Sequence, residues 1–409
     1  MKRKPGSLIV GLDIGTSKVC AVVAAQRENG VEVIGLGTHP SDGLSKGVVV
    51  DVEKTVAAIT KAIEEAEKMA QVNIRSAYIS VANANVKGFT SQGMLPLRGR
   101  NVGIEEIERV VEAAESVAIP QDSEVLHVLP QEYILDNLNG IKDPSGMRGM
   151  RLEVNCYIVT IQSASVGNLV QCCHQSGLEI EDVILSPLAS AEAVLNPEER
   201  ELGVALIDLG GGTTDLVVFK NDAVKYTAVL SFGGLQVNND LARCLHLTTA
   251  KAEWLKKRYG HCIPGEVMAG EEIEVESPDD GETVIVDHRE VCEIIEARVA
   301  EILQFVNNEM LRKELDRHVS SVVLTGGTSH LRGIEDLAGS IFNRHVRVGQ
   351  PRHVGGLVDV VASPMYAAGV GLVLLAAREQ GMSRLAKAEA PLTGKVSRSV
   401  KNWLTKLIK

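Results

Sequence analysis

Two stretches decide the reading of this chain: Leu8-Ile9-Val10-Gly11-Leu12-Asp13-Ile14-Gly15-Thr16 and Val204-Ala205-Leu206-Ile207-Asp208-Leu209-Gly210-Gly211-Gly212-Thr213-Thr214-Asp215. Each is an apolar run that ends in an Asp and a Gly/Thr turn. A second apolar run follows each, Val19 to Ala25 and Leu216 to Lys220. Apolar runs punctuated by glycine in this way predict strand–turn–strand hairpins. A second pair of segments also repeats, Leu185-Ser186-Pro187-Leu188-Ala189-Ser190-Ala191 and Ala362-Ser363-Pro364-Met365-Tyr366-Ala367-Ala368. Here Ser is suited to cap a helix and Pro to its first turn, where a missing N–H costs nothing. The small residues that follow let two helix backbones approach closely, as at a hinge. Both pairs in corresponding order predict a duplicated α/β protein of two lobes.

The bulk composition agrees. A chain of 409 residues is too long for one ordinary core. Its 45% apolar and 23% charged residues are those of a globular chain, and its net charge of −11 opposes a nucleic-acid partner. Seven cysteines without a scaffold spacing predict reduced, cytosolic usage. The group Cys244, His246, His261 and Cys262 lacks the ligand spacing of a structural zinc site. The start Met-Lys-Arg-Lys resembles a signal peptide, but the apolar run from Leu8 breaks at Asp13 and reads as a strand. The apolar stretch Met365 to Ala377 is too short to cross a bilayer and reads as a buried helix.

Glycine turns bring backbone N–H groups together where a phosphate chain can approach. Two facing hairpins would clamp a triphosphate, with Gly15, Gly210, Gly211 and Gly212 at the turns and Thr16, Ser17, Thr213 and Thr214 adding hydroxyls. Lys18 adds a positive charge. Asp13 and Asp208 would repel phosphates directly, so their place there implies a magnesium ion between. A third turn, Thr325-Gly326-Gly327-Thr328, lies between a strand and an expected helix and suits the passage of a nucleoside.

These motifs resemble the superfamily of actin, sugar kinases and heat-shock chaperones, whose ribonuclease-H-like duplicated fold binds ATP. Asp13 to Thr16 is similar to its phosphate-1 motif, Asp208 to Thr214 to phosphate-2, and Thr325 to Thr328 to its adenosine motif. By the same resemblance Glu253 and Lys256 reach ribose and adenine, with Gly233 and Gly234 beside them. The stretch Gly233-Gly234 followed by Asn239-Asp240-Leu241-Ala242, an insertion near residues 83–160 and a basic C-terminal helix together resemble the FtsA family of bacterial cell-division proteins. The organisation this implies is a lobe 1 core at 1–82 and 161–198, interrupted at 83–160 by a subdomain of the 1C type. A lobe 2 core occupies 199–230 and 316–362, around a helix-rich subdomain at 231–315. A connecting helix (363–378), a flexible linker (379–394) and a membrane-targeting helix (395–409) complete the chain.

The resemblance further implies self-polymerisation, capture of the C-terminal tail of the tubulin-like protein FtsZ near Arg298 and Glu301, recruitment of later division proteins, and residence on the inner membrane face. Where many relatives place Glu or Gln to orient water, this chain has Ser186, with Asp182 one turn earlier read as a helix-starting carboxylate. Slow or absent hydrolysis is the expectation. In the tail, Val396, Val400, Trp403, Leu404, Leu407 and Ile408 form one apolar stripe flanked by Lys395, Arg398, Lys401, Lys406 and Lys409. Such a helix suits an anionic lipid interface, and about 5–8 kcal/mol of binding makes one copy weak and several copies firm. A small-molecule kinase or a pilus-assembly adaptor of the same fold would have no use for that tail.

Overall fold

The computed structural model describes residues 7–27, 30–276 and 283–389. Two sheets share one topology. In lobe 1, Gly30–Pro40, Lys18–Arg27 and Leu8–Ile14 run antiparallel, and Ser76–Val81 and Glu179–Leu185 then add in parallel. In lobe 2 the same roles fall to Ala223–Leu230, Thr214–Lys220, Val204–Leu209, Ser321–Thr325 and His345–Val348. The central strands are buried on both faces, which is why they read as near-continuous apolar runs rather than alternating ones.

The two repeated Ser-Pro segments begin the helices that join the lobes, Ser186–Val194 and Ala367–Glu389. They pack backbone to backbone: a Cβ added at Gly371 would lie 1.7 Å from the Ala189 carbonyl oxygen. At Ser363 the hydroxyl accepts a hydrogen bond from the Met365 N–H, as a capping residue should. At Ser186 it does not, because the helix starts one residue sooner, with Leu185 at the cap position and Ser186 already in the first turn.

A four-stranded sheet (Lys87–Pro96, Ser123–Leu135, Leu138–Ile141, Arg151–Gln162) and the helix Ile104–Glu115 occupy the insertion, around a core of their own. The subdomain also touches lobe 2. The Tyr157 hydroxyl is buried and accepts from the Thr227 N–H at 2.9 Å, and Gln131 Nε2 donates to the Val224 carbonyl at 2.6 Å. The helix His288–Arg312 forms the spine of the helix-rich subdomain.

One expectation is corrected. Residues 379–389 do not form a linker but carry the connecting helix onward to Glu389. Its Ala, Leu, Arg, Lys and Glu residues are strong helix formers, and a helix continued from a packed segment needs no apolar stripe of its own. The rest of that stretch and the whole C-terminal stripe, Val396, Val400, Trp403, Leu404, Leu407 and Ile408, lie outside the described residues. Among the described residues no helix is long and apolar enough to cross a membrane.

The close helix crossing is testable. Gly371→Val is expected to lower unfolding stability in urea by about 1–3 kcal/mol or more, because a side chain meets backbone that cannot step aside. Gly339→Ala, in a helix where the added Cβ comes no nearer than 3.7 Å to the atoms around it, should be neutral or slightly stabilising.

Candidate functional site: the interlobe cleft

Both hairpins close their turns in the same way. Gly15 N–H donates to the Lys18 carbonyl at 2.9 Å, and Gly210 N–H donates to the Thr213 carbonyl at 3.0 Å. The turns then meet tip to tip. A Cβ at Gly211 would sit 1.9 Å from Ser17 Oγ, and one at Gly212 would sit 2.6 Å from Thr16 Oγ1. At Gly212 an added side chain would also press on Thr16 Cβ at 2.8 Å, whereas at Gly211 the Ser17 hydroxyl would have to turn aside. Behind the tips opens a cleft of about 640 Å³, lined by both turns, by Ser80 and Ser186, and by residues of the helix-rich subdomain.

The cleft floor is electrostatically strained. Asp13 pairs with Lys18 at 3.2 Å and accepts from Ser80 Oγ at 2.7 Å, while Asp208 accepts from Ser190 Oγ at 2.6 Å. Each carboxylate thus has a serine behind it, Ser80 from the lobe 1 sheet and Ser190 from the first connecting helix. Burial pushes Asp208 up to about 6, with Asp13 adding to the shift and the Ser190 hydrogen bond resisting it. Asp215, also buried, is held well above the usual carboxylate range by burial and then by Asp208, and its Oδ1 has no partner among the described residues. Burial works against the Lys18 charge, but Asp13 and Asp208 hold the ammonium above its ordinary value.

These groups fit a hydrated divalent cation. No cluster of three or more His, Cys, Asp or Glu among the described residues could hold a metal by itself. Magnesium, however, keeps much of its water and usually takes only one or two carboxylates beside phosphate oxygens. Asp13 and Asp208 would supply those carboxylates, and the orphaned Asp215 oxygen would offer an acceptor to the hydration shell.

The inner end of the cleft is built from the third glycine turn. Gly326 has φ +85, and a Cβ there would stand 2.3 Å from Asp208 Oδ1, so this position excludes larger residues twice over. The expected helix after it is a short 3-10 turn, Gly327–His330. Thr328 Oγ1 donates to the Gly210 carbonyl at 3.0 Å, tying the third turn to the second hairpin. Lys256 donates to the Gly234 carbonyl at 2.9 Å, and burial lowers its ammonium to about 8. Glu253 lines the cleft while paired to Lys257 at 2.6 Å.

Most of the expected residues meet here: Asp13, Gly15, Thr16, Ser17, Lys18, Asp208, Gly210, Gly211, Gly212, Thr213, Gly234, Glu253, Lys256, Gly326, Gly327 and Thr328 all line the cleft. Thr214 does not. It begins the returning strand, where side chains alternate in direction, so Thr213 and Asp215 face the cleft and Thr214 turns away to donate to the Phe232 carbonyl at 2.9 Å. Gly233 supports the second turn from behind, its Cα packed on the carbonyls of Gly210 and Gly211. Asp182 is corrected as well: it lies in the strand Glu179–Leu185 and borders a separate small cavity with His127 and Leu188. Arg298 and Glu301 are on the outer helix, where Arg298 binds both Glu301 and Asp240, the latter also through Nη2 at 3.1 Å. Sequence reasoning missed Ser80 and Ser190, which come from remote segments. It also missed Asp215, which the alternation along the second hairpin could have supplied.

Two sheets that share a five-strand topology, joined by paired helices around a glycine-lined cleft, define an actin-like two-lobed protein. Among solved structures, the "PilM-PilN type IV pilus biogenesis complex" matches with a TM-score of 0.65 at 19% identity, over 90% of this chain and 97% of that one. MreB5 of Spiroplasma citri bound to ADP matches at 0.53 and 14% identity, over 93% and 98%. Likeness at such identities speaks for the fold alone. The family is shown by sequence. The model for "Cell division protein FtsA" matches residues 205–371, and that for "SHS2 domain inserted in FTSA" matches 83–160. Cell division protein FtsA of Pseudomonas aeruginosa is 44% identical over 382 residues, covering 92% of each chain. That of Escherichia coli K12 is 34% identical over 100% of this chain and 98% of its own. The chain belongs to the FtsA family of cell division proteins.

The raised carboxylates give a pH signature. Cation binding needs Asp208 charged, so affinity for magnesium–ATP is expected to fall as pH drops from 7.5 through about 6. Without ligand the sign reverses. A carboxyl whose pKa is raised on folding stabilises below its ordinary 3.8 and loses that contribution as pH rises through about 6, a cost of about 3 kcal/mol to the charged form. Asp208→Asn should therefore match or exceed the melting temperature of the unliganded protein at pH 7.5, yet lose the thermal shift on adding magnesium–ATP.

Proposed function

We propose that this chain binds ATP with magnesium in the interlobe cleft, polymerises on the inner face of the bacterial membrane, and there holds FtsZ filaments by their C-terminal tails while helping to recruit later division proteins. The observation that carries the nucleotide part is the tip-to-tip meeting of the two glycine turns over buried carboxylates. Backbone N–H groups there suit phosphate oxygens. Asp13 and Asp208 would hold the magnesium ion, which supplies charge neutralisation between carboxylate and phosphate. The MreB5 relatives in fold are described as bound to ADP and AMPPNP, which supports the same ligand class.

The protein is at most a weak ATPase in this reading. Among the described residues, the carboxylates lining the cleft are Asp13, Asp208, Asp215 and Glu253. The first three are drawn to the cation, and Glu253 sits at the base end in an ion pair. Ser186 lines the cleft at the first connecting helix, and a hydroxyl is a poor general base.

Membrane attachment rests on the sequence of the tail, whose apolar stripe and flanking lysines match an interfacial helix. For the FtsZ tail, the Arg298 region offers a guanidinium held by Asp240 and Glu301, with Phe305 half exposed on the same helix. An acidic and apolar peptide would compete for that guanidinium.

The deciding experiment is liposome co-sedimentation of the whole chain and of a truncation ending at Gly394, each with magnesium–ATP and without nucleotide. The whole chain should pellet with anionic liposomes, more so with ATP, and the truncation should stay in solution. Equal pelleting of the truncation would refute the tail as anchor. A filament-breaking variant should bind the same liposomes weakly, since one helix alone contributes little.

A further inference from the structure

Asn238 is the one cleft residue whose chemistry none of the motifs explains. It is 0% exposed, yet it lines the cleft, and neither its amide nitrogen nor its amide oxygen has a hydrogen-bond partner among the described residues. Burying a carboxamide with both ends unpaired is costly, and native proteins keep such groups where something else completes them. Its neighbours on the same helix face are committed to the hydrophobic core: Val237 and Leu241 pack there, while Gly234, one turn earlier, opens toward Lys256 and Thr328.

Position along the helix shows which end of a ligand it would meet. The helix Gly234–Cys244 starts against the second hairpin, with the Gly234 and Leu235 N–H groups donating to the Gly210 and Gly211 carbonyls at 2.9 Å. Four residues further on, Asn238 is about 6 Å along the axis, away from the phosphate turns. Glu253, Lys256, Gly260 and Leu331 line the same cleft, with the Lys256 ammonium on the Gly234 carbonyl. An extended ligand whose charged chain lies on the hairpins would place its far, aromatic end here.

We propose that Asn238 reads the edge of the purine base. A carboxamide presents an acceptor and a donor side by side, which matches the 6-amino group and N7 of adenine, an edge on which guanine offers two acceptors. Guanine carries an oxygen in place of that amino group, so the same side chain can satisfy only one of its two bonds. Asn238 is in this way a specificity-determining residue, separate from the phosphate and metal machinery. The inference rests on the ATP reading given above.

The test is a cycle between residue and ligand, read by calorimetric titration of the full chain with magnesium complexes of ATP, GTP and purine riboside triphosphate, which lacks only the 6-amino group. In the wild-type chain, loss of that group should weaken binding roughly 10- to 100-fold. Asn238→Ala should weaken ATP binding by a similar factor and bind ATP and the purine analogue alike. Asn238→Leu, closer in volume, serves as the second variant should alanine disturb packing. If the wild-type chain binds ATP and the analogue equally, the inference fails, and this arm needs no variant at all. If Asn238→Ala still discriminates between them as the wild type does, it also fails. No binding of any triphosphate by the wild-type chain would refute the nucleotide reading itself and this inference with it.

Discussion

Asp13 and Asp208 come from different lobes, yet the fold brings them within electrostatic reach of each other, with Asp215 nearby and Lys18 as the adjacent cation. Like charges in a shielded site repel strongly, and one buried ammonium offsets only part of that repulsion. The rest of the molecule is arranged around this unbalanced charge. Each carboxylate is oriented by a serine, and the glycine turns leave open space in front. The cleft is in that sense the joint between the lobes.

What holds the joint together elsewhere is backbone contact. Gly371 on Ala189 and Gly11 on the Gly369 carbonyl bring the connecting helices and the first strand so close that no side chain fits between. Contacts of that kind are stiff, and they fix the fulcrum at the base of the cleft. The inserted subdomain adds a second tie, since Tyr157 and Gln131 bond the edge strand of lobe 2 while the rest of the subdomain grows out of lobe 1. Any rotation of the lobes must either carry the insertion along or break buried hydrogen bonds. The insertion is therefore mechanically tied to both lobes.

The connecting helix runs from this joint toward the tail. It begins beside the cleft, where Met365 and Ala368 line the wall, passes Leu375 and Arg378 at the opposite side of the lobes, and continues to Glu389. Glu192 on the other connecting helix pairs with both Arg200 and Arg378, clamping the helix where it leaves the body. One continuous element thus reaches from the cleft to the base of the C-terminal segment.

Sequence alone determined the features that depend on local chemistry. The duplicated hairpins, the three glycine turns and the two Ser-Pro helices were legible because strands, tight turns and helix starts each demand particular residue types at short spacing. Helix continuity past Ala377 was not legible, because the signal read there was apolar periodicity, which the sequence past Ala377 lacks. Direction was the other loss: Thr213, Thr214 and Asp215 look alike as neighbours, and only pairing in the sheet turned the first and third toward the cleft and the second away. Tertiary structure also had to supply Ser80, Ser190 and Asn238, because nothing near them in sequence announces a partner in another element or a cavity formed by other segments. A side chain's chemistry is written in the chain, but what it faces is decided by packing.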